Sequence, residues 1–202
     1  MKLIVYGMTF WLLISSCIAG DILITEIMAN PDGSDTDREW VEIYNKGNNP
    51  IDLTGWRFYE NGIKHHLTKQ QGSFTLDSND FAIICEDKTK FLSDYPGYTG
   101  NLYSSSFSLK NTGEEIGIKD DNFNEIDLVF YEESDGQGYS LELIDPDLDN
   151  SQMGNWFSKN YKGTPGELPI EEPKVKNVPE FSTITAFLVL CIGTFFVWKK
   201  RK

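Results

Sequence analysis

Two groups of acidic side chains stand at spacings that could ligate a metal ion. They are Asp32, Asp35 and Asp37 in one stretch, and Asp145, Asp147 and Asp149 in another. Carboxylates at or near alternate positions in a loop are oxygen ligands of the kind that Ca²⁺ accepts. Aspartate is also common in turns for backbone reasons alone. We therefore interpret these residues as solvated turns and predict no metal site and no cofactor, with calcium binding as the alternative.

The other reactive side chains do not form a catalytic constellation. His65 and His66 are adjacent, so on a strand they would point to opposite faces and make a poor chelating pair. Cys85 follows the apolar run Phe81–Ile84, which predicts a small buried side chain. No grouping typical of nucleophilic or two-metal catalysis stands out. We therefore predict no catalytic residues and no enzyme activity.

The elements that would position these side chains are short strands with a period of two. Ile22–Met28 is an apolar run of strand length, and Trp40–Tyr44 alternates, with Val41 and Ile43 on one face. Further along, Ile126, Leu128 and Phe130 share a face, which predicts that this face lies on the core. Phe107–Leu109 and Gln137–Ile144 are also predicted strands. Eight or nine such strands at hairpin spacing indicate an all-β sandwich without an amphipathic helix.

The stretch Asp87–Leu102 is the least regular part of this pattern. It contains Pro96, Gly97 and Gly100, with Tyr95 and Tyr98 close by. A long loop on a rigid scaffold is a common place for binding, so this one is a candidate contact for a protein or a glycan. The alternative is that its tyrosines cap one end of the sandwich core.

Charge narrows the choice of partner. Residues 21–178 contain 13 basic and 30 acidic residues, a net charge of −17. A surface this acidic repels phosphates, which argues against nucleic acid as a partner.

Several motifs along the chain are similar to those of one family. They are Ile24–Ile27, Glu39–Asn45 and Ile51–Trp56 early in the chain, and Gly138–Leu143, Asn155-Trp156 and Gly163–Gly166 late in the chain. Together they resemble the lamin-tail domain over residues 21–166. The resemblance implies an immunoglobulin-like β-sandwich. The quoted residues are structural hallmarks of that family, so the resemblance supplies no catalytic role.

The amino-terminal segment, residues 1–20, is typical of a secretory signal peptide. Lys2 precedes an uncharged apolar run, and small residues follow before the acidic Asp21. We predict cleavage by signal peptidase between Gly20 and Asp21. Two alternatives remain open: a lipobox ending at Cys17, which would become lipidated, and a retained signal anchor. All three hypotheses place the domain outside the cytoplasm.

The carboxy-terminal segment changes character after the domain. Residues 167–180 form a proline-spaced polar tether, and residues 181–198 form an uncharged stretch of 18 residues. As a helix that stretch would span about 27 Å, close to the thickness of a bilayer core. The basic residues 199–202 then predict a cytoplasmic tail. The stretch is thus a predicted single transmembrane helix or a sorting segment.

The tripeptide Pro179-Glu180-Phe181 before this stretch resembles the PEF-type sorting signals of archaea. In that family an archaeosortase recognises the motif, removes the helix and attaches the protein to lipid. The sequence therefore predicts a membrane-anchored, extracellular, non-catalytic module that works in cell-surface binding or in envelope structure. A calcium-dependent adhesion module is one alternative. The other is an accessory domain of a secreted hydrolase or nuclease system, because lamin-tail domains occur beside such enzymes in larger proteins.

Overall fold

The computed structural model describes residues 20–169, which fold into thirteen strands, one short helix and one 3₁₀ turn. The first seven strands are β1 (Ile22–Met28), β2 (Trp40–Asn45), β3 (Ile51–Asp52), β4 (Arg57–Glu60), β5 (Ile63–His66), β6 (Thr68–Gln71) and β7 (Thr75–Leu76). The remaining strands are β8 (Phe81–Cys85), β9 (Asn101–Ser104), β10 (Glu115–Lys119), β11 (Glu125–Phe130), β12 (Leu141–Leu143) and β13 (Trp156–Phe157). Helix α1 is Lys88–Asp94, and the 3₁₀ turn is Met153–Asn155.

Two main sheets and a small one contain these strands. The larger sheet has the order β13-β12-β1-β2-β8-β9-β6, the second has the order β11-β10-β4-β5, and β3 pairs with β7. The pairing is antiparallel except between β8 and β9, which run parallel because α1 and the loop after it carry the chain back between them. The prediction of an all-β sandwich of the immunoglobulin type is confirmed.

The main core lies between the two large sheets. Val41 and Ile43 of β2 are fully buried there, as their alternation predicts, and they face Phe58, Ile116 and Ile118 of the second sheet. A second apolar cluster covers the opposite face of the larger sheet. It consists of Met28, Trp40, Ile83, Cys85, Phe91 and Leu102. The larger sheet is therefore buried on both faces, and only one of these faces belongs to the sandwich.

Strand β11 corrects one prediction about the core. Val129 is fully buried whereas Phe130 is 60% exposed, so the face with Leu128 and Phe130 points away from the core. The cause is a bulge. Asp127 pairs with Ile118 and Glu125 pairs with Lys119, which leaves Ile126 without a partner and shifts the alternation by one residue. Ile126 still packs partly against the core.

The prediction that the stretch Asp87–Leu102 is irregular is wrong in part. This stretch contains α1, whose first turn is capped by Asp87, which accepts a hydrogen bond from the Lys90 N–H. Phe91 is the only buried residue of this helix, and one buried side chain gives the sequence no helical period to detect. Tyr95 and Tyr98 pack on the second cluster rather than capping the end of the sandwich.

One predicted strand is absent and another is shorter than expected. Residues Phe107–Leu109 are not in a strand, although Phe107 and Leu109 are buried in the main core. The last predicted strand, Gln137–Ile144, is reduced to β12, and β13 completes that edge of the sheet.

The predicted signal peptide, the residues of the tether after Pro169, the transmembrane or sorting segment and the basic tail all lie outside the described residues. Within residues 20–169, no helix has the length and apolar character needed to cross a bilayer.

Candidate functional site

Three buried glutamates lie side by side on the outer face of the larger sheet. Glu26 of β1 pairs in register with Glu42 of β2 on one side and with Glu142 of β12 on the other. Each is only 1% exposed. Because side chains that face each other across neighbouring strands have Cβ atoms about 5 Å apart, the three carboxyl groups are close neighbours. We call Glu26, Glu42 and Glu142 the carboxyl row.

A bulge in β1 puts the central glutamate on this face. Ile24 pairs with Ile43 and Glu26 pairs with Glu42, so Thr25 is the extra residue on the β1 side. Without it, Ile24 and Glu26 would share one face of the sheet. With it, Ile24 and Ile27 both enter the core and Glu26 turns outward. The Thr25 hydroxyl then donates to Glu42 Oε1 at 2.7 Å.

The chain segment Ser158–Gly166, which we call the strap, covers the carboxyl row. The backbone N–H of Thr164 donates to Glu26 Oε1 at 2.9 Å, and that of Gly166 donates to Glu42 Oε2 at 2.6 Å. Glu142 Oε2 accepts from the Asn160 side chain at 2.9 Å and from the Thr164 hydroxyl at 3.3 Å. All three glutamates therefore hold the strap through hydrogen bonds across long stretches of sequence.

Tyrosines from the loop after α1 pack against the same region. Tyr95 receives a hydrogen bond from the Trp40 indole at 3.1 Å and donates its own to the Lys162 carbonyl at 2.6 Å. The Tyr98 ring lies beside Gly166, where an added Cβ would be 3.3 Å from it. The strap is thus attached to the second apolar cluster as well as to the carboxyl row.

Burial changes the acidity of all three carboxyl groups. Desolvation raises the pKa of Glu26 well above its ordinary value, and the neighbouring carboxyl groups of Glu42 and Glu142 raise it further. Desolvation also raises the pKa of Glu42 to about 8, although the Gly166 amide opposes the shift. The pKa of Glu142 rises for the same reason, against its hydrogen bonds to Asn160, Ser140 and Thr164. At neutral pH the row therefore retains protons.

The part of the chain that the structure describes forms no ion pair with the carboxyl row. None of the ion pairs formed within residues 20–169 includes Glu26, Glu42 or Glu142. Glu26 Oε2 is buried and has no hydrogen-bond donor beside it. Protonation of Glu26 removes the repulsion from the neighbouring Glu42 and Glu142 carboxyl groups, which is one of the two reasons that its pKa is raised.

A shallow cleft of about 580 Å³ opens next to the strap. One wall is the loop from Tyr95 to Gly100, and the other is Gly163–Gly166 of the strap together with Glu167. Asp80 and Phe81 complete the lining. The Tyr98 hydroxyl donates to the Asn101 carbonyl at 2.9 Å, so its ring is held in a fixed position. The loop that the sequence singled out as a candidate contact does line this cleft.

Two of the predicted calcium residues accept hydrogen bonds within local turns. Asp145 Oδ1 accepts from the Asp147 N–H at 2.9 Å, and Asp149 Oδ1 accepts from the Ser151 N–H at 3.0 Å. In the other loop, Asp35 accepts from Asn111 at 3.0 Å, while Asp32 and Asp37 are exposed. No group of three or more acidic, histidine or cysteine side chains in residues 20–169 is arranged to hold a metal ion. The contacts of Asp145 and Asp149 agree with the turn interpretation, whereas Asp35 contacts a residue 76 positions away along the chain.

The two histidines point to opposite sides of β5, and the cysteine is buried. His65 points toward the core side, with Nε2 3.1 Å from Glu60 Oε2, and His66 is exposed on the opposite face. Cys85 is buried and its pKa rises to about 12, because burial disfavours the thiolate. A thiol in this state is a poor nucleophile.

The fold and these residues define the class of domain. It is an immunoglobulin-like sandwich in which the strap covers part of the outer face of the larger sheet. A family model described as Lamin Tail Domain matches residues 18–133, and the chain belongs to that family. Comparison with curated proteins gives no match, and comparison with solved structures gives none either. The late motifs that the sequence singled out lie beyond the family match, yet they form β12, β13 and the strap of the same domain.

Sequence reasoning missed the carboxyl row, although a signal for it was present. Glu26, Glu42 and Glu142 each stand inside a short apolar strand, where a charged residue is costly unless it is paired. A glutamate in the middle of a strand that is apolar on both sides indicates a buried polar contact. Which segment supplies that contact is not encoded locally, because Thr164 is 138 residues from Glu26.

Proposed function

We propose that this protein is an exported, membrane-anchored surface module whose lamin-tail domain works by binding or by building the envelope. Its family domain is a non-catalytic structural or binding module, and this supports the proposal most directly. The reactive side chains of residues 20–169 agree with such a role. The Cys85 thiol is buried, and the two histidines face opposite sides of a strand.

The segments outside the described residues supply the anchoring part of the proposal. Residues 1–20 have the pattern of a signal peptide, and residues 181–198 are long enough and apolar enough for a bilayer. The domain would then stand on the outer surface, held by residues 167–180. Partners in this arrangement are the membrane, signal peptidase, an archaeosortase acting at Pro179–Phe181, and an extracellular protein or glycan.

Cell fractionation of the full-length protein tests the location. We expect the protein in the membrane fraction of intact cells and expect added protease to degrade the domain from outside. A chain lacking residues 181–202 should appear in the medium. Recovery of the full-length protein in the soluble cytoplasmic fraction would refute the anchoring proposal.

A second variant separates a plain transmembrane helix from a sorting signal. Replacing Pro179, Glu180 and Phe181 with alanine leaves residues 182–198 and the basic tail unchanged and adds no charge to the apolar stretch. If an archaeosortase acts there, mass spectrometry of the wild-type protein shows that residues after the motif are lost, and the triple variant retains them. If both proteins keep their carboxy terminus, the helix itself is the anchor.

The cleft beside the strap is the proposed contact for an envelope ligand. An added Cβ at Gly97 meets nothing within 4 Å, so Gly97→Trp can fill the cleft without disturbing the core. We expect the chain without residues 181–202 to bind washed cell envelopes and the Gly97→Trp form of it to bind less. Gly154→Trp is the matched control, because its site is also open but lies away from the cleft.

A further inference from the structure

We infer that the strap is an acid-tightened latch: it stays on the sheet while Glu26, Glu42 and Glu142 carry protons, and the loss of those protons releases it. The inference concerns the domain itself and does not depend on how the chain is anchored.

The carboxyl row is buried beneath the strap. Three carboxyl groups lie in one row, each less than 2% exposed, and the strap seals them from water. The central group has an oxygen, Glu26 Oε2, with no donor beside it. If all three groups were ionised, three negative charges would stand side by side with no buried cation. Opening of the strap would weaken the repulsion among these charges, because water could then reach the carboxyl row.

The groups around the row do not cancel this charge. Tyr95 and Tyr98 face it from the loop after α1, and both are neutral phenols whose pKa values are raised by burial. From the strap and its end, Lys162 and Glu167 are exposed to solvent. Lys162 Nζ lies over the ring of Tyr161 at 6.0 Å from its centroid, rather than on a carboxyl group. Asp80, at the far wall of the cleft, adds negative charge.

The sign of the effect follows from linkage. With the strap closed, the pKa of Glu42 is about 8, and with the strap open it returns toward the ordinary value of 4.5. The closed strap therefore binds the proton more tightly than the open strap, and closure is most favoured below pH 4.5. For each such proton, the equilibrium constant for opening the strap rises about tenfold per pH unit between pH 4.5 and pH 8, and it levels off above pH 8.

Release of the strap would have two structural consequences. One wall of the cleft is made of strap residues, so the cleft would be lost or reshaped. The strap spans residues 158–166, and at about 3.3 Å per extended residue its release would lengthen the connection to the tether by at most about 30 Å. Local pH would thus control both the contact surface and the reach of the domain.

Amide hydrogen exchange on the full-length protein in detergent tests the inference directly. The probes are the N–H groups of Thr164 and Gly166, which donate to Glu26 and Glu42. After correction for the intrinsic pH dependence of exchange, we expect their opening equilibrium to rise at least fiftyfold between pH 5 and pH 7. We also expect them to exchange faster than the amides of Ile43 and Ile83, which need global unfolding.

Substitutions then assign the protons. Glu26→Gln with Glu42→Gln removes two titrating groups while keeping side-chain oxygens for the strap amides, so the pH dependence should fall to less than a tenth of that in the wild type. Glu39→Gln is the matched control. Glu39 also has a pKa raised to about 8 by burial, yet it accepts its hydrogen bond from Leu109 and not from the strap. It should leave the exchange of Thr164 and Gly166 unchanged.

Three results would overturn the latch. They are strap protection that does not vary with pH in the wild type, strap amides that open only with the core amides, and an unchanged pH dependence in the double variant. The first two need no variant, so the inference can fail even if the substituted chains do not fold.

Discussion

Asp127 Oδ2 accepts a hydrogen bond from the backbone N–H of Ile24 at 2.6 Å, across 103 residues of sequence. The contact joins β11 of the second sheet to β1 of the larger sheet at the places where both strands are bulged. Asn150 completes it by donating to Asp127 Oδ2 at 2.8 Å and to the Ile24 carbonyl at 3.2 Å. The backbone groups released by the β1 bulge are therefore satisfied inside the sandwich.

Replacing this carboxylate should be costly. Asp127→Ala leaves the N–H of the fully buried Ile24 without a partner, so we expect a loss of about 2–3 kcal/mol in the free energy of unfolding. Urea titration followed by circular dichroism measures it. Asp147→Ala, at an exposed position, is the control and should cost less than about 0.5 kcal/mol. Equal effects of the two substitutions would show that the contact between the sheets is unimportant.

Acid should stabilise the domain over part of the pH range. Burial raises the pKa values of Glu39 and Glu42 to about 8, so the folded state binds protons that the unfolded state releases above about 4.5. This stabilisation is complete below pH 4.5 and is lost as pH rises through 8. Thermal melts should therefore give a higher midpoint at pH 5 than at pH 8. A midpoint that rises steadily with pH over this range would contradict the assignment.

The glycine at the centre of the strap should tolerate no side chain. Gly163 has a φ of 70°, and an added Cβ would overlap Glu26 Oε1. Gly163→Ala should therefore expose the strap to protease cleavage after Lys162 and lower the free energy of unfolding. Gly62→Ala separates the causes, because Gly62 also has a positive φ but meets nothing within 4 Å. Gly62→Ala should cost about 1 kcal/mol from backbone strain alone, and Gly163→Ala should cost more.

Calcium should leave the described domain unaffected. Asp145 and Asp149 already cap their own turns, and residues 20–169 contain no group of acidic side chains arranged around a metal position. We expect the thermal midpoint to stay within 1 °C, at about 1 mM calcium, of its value with chelator, since a bound ion would raise it. A clear rise that Asp145→Asn or Asp35→Asn removes would restore the adhesion hypothesis.

Alternation predicted the core correctly where the strands are regular. Val41 and Ile43 of β2 are buried as expected, and the Asn61-Gly62 turn connects β4 to β5 with positive φ at both residues. It failed at Leu128 and Phe130, because the bulge at Ile126 reverses the faces and nothing in the local sequence marks it. The apolar spacing of Ile24 and Ile27, three residues apart, does mark the bulge in β1 once strand pairing is known.

The site was less accessible to sequence reasoning than the fold. The family motifs include Glu26, Glu42 and Gly163–Gly166. The motifs alone do not indicate that the two glutamates accept hydrogen bonds from the segment Gly163–Gly166. That information is long-range, since Gly166 is 124 residues from Glu42. Helix α1 was missed for a different reason: it is seven residues long and buries one side chain, so no periodic signal exists.

The position of the strap at the end of the domain also affects how the protein is made. Strands β1 and β2 emerge during synthesis more than a hundred residues before the strap can cover them. During that interval Glu26 and Glu42 are in water and ionised, so the outer surface of the growing sheet repels other unfinished copies. Like-charged residues on an uncovered sheet oppose edge pairing and aggregation. The same glutamates would then protect the nascent chain while it is incomplete and become neutral when the last segment closes over them.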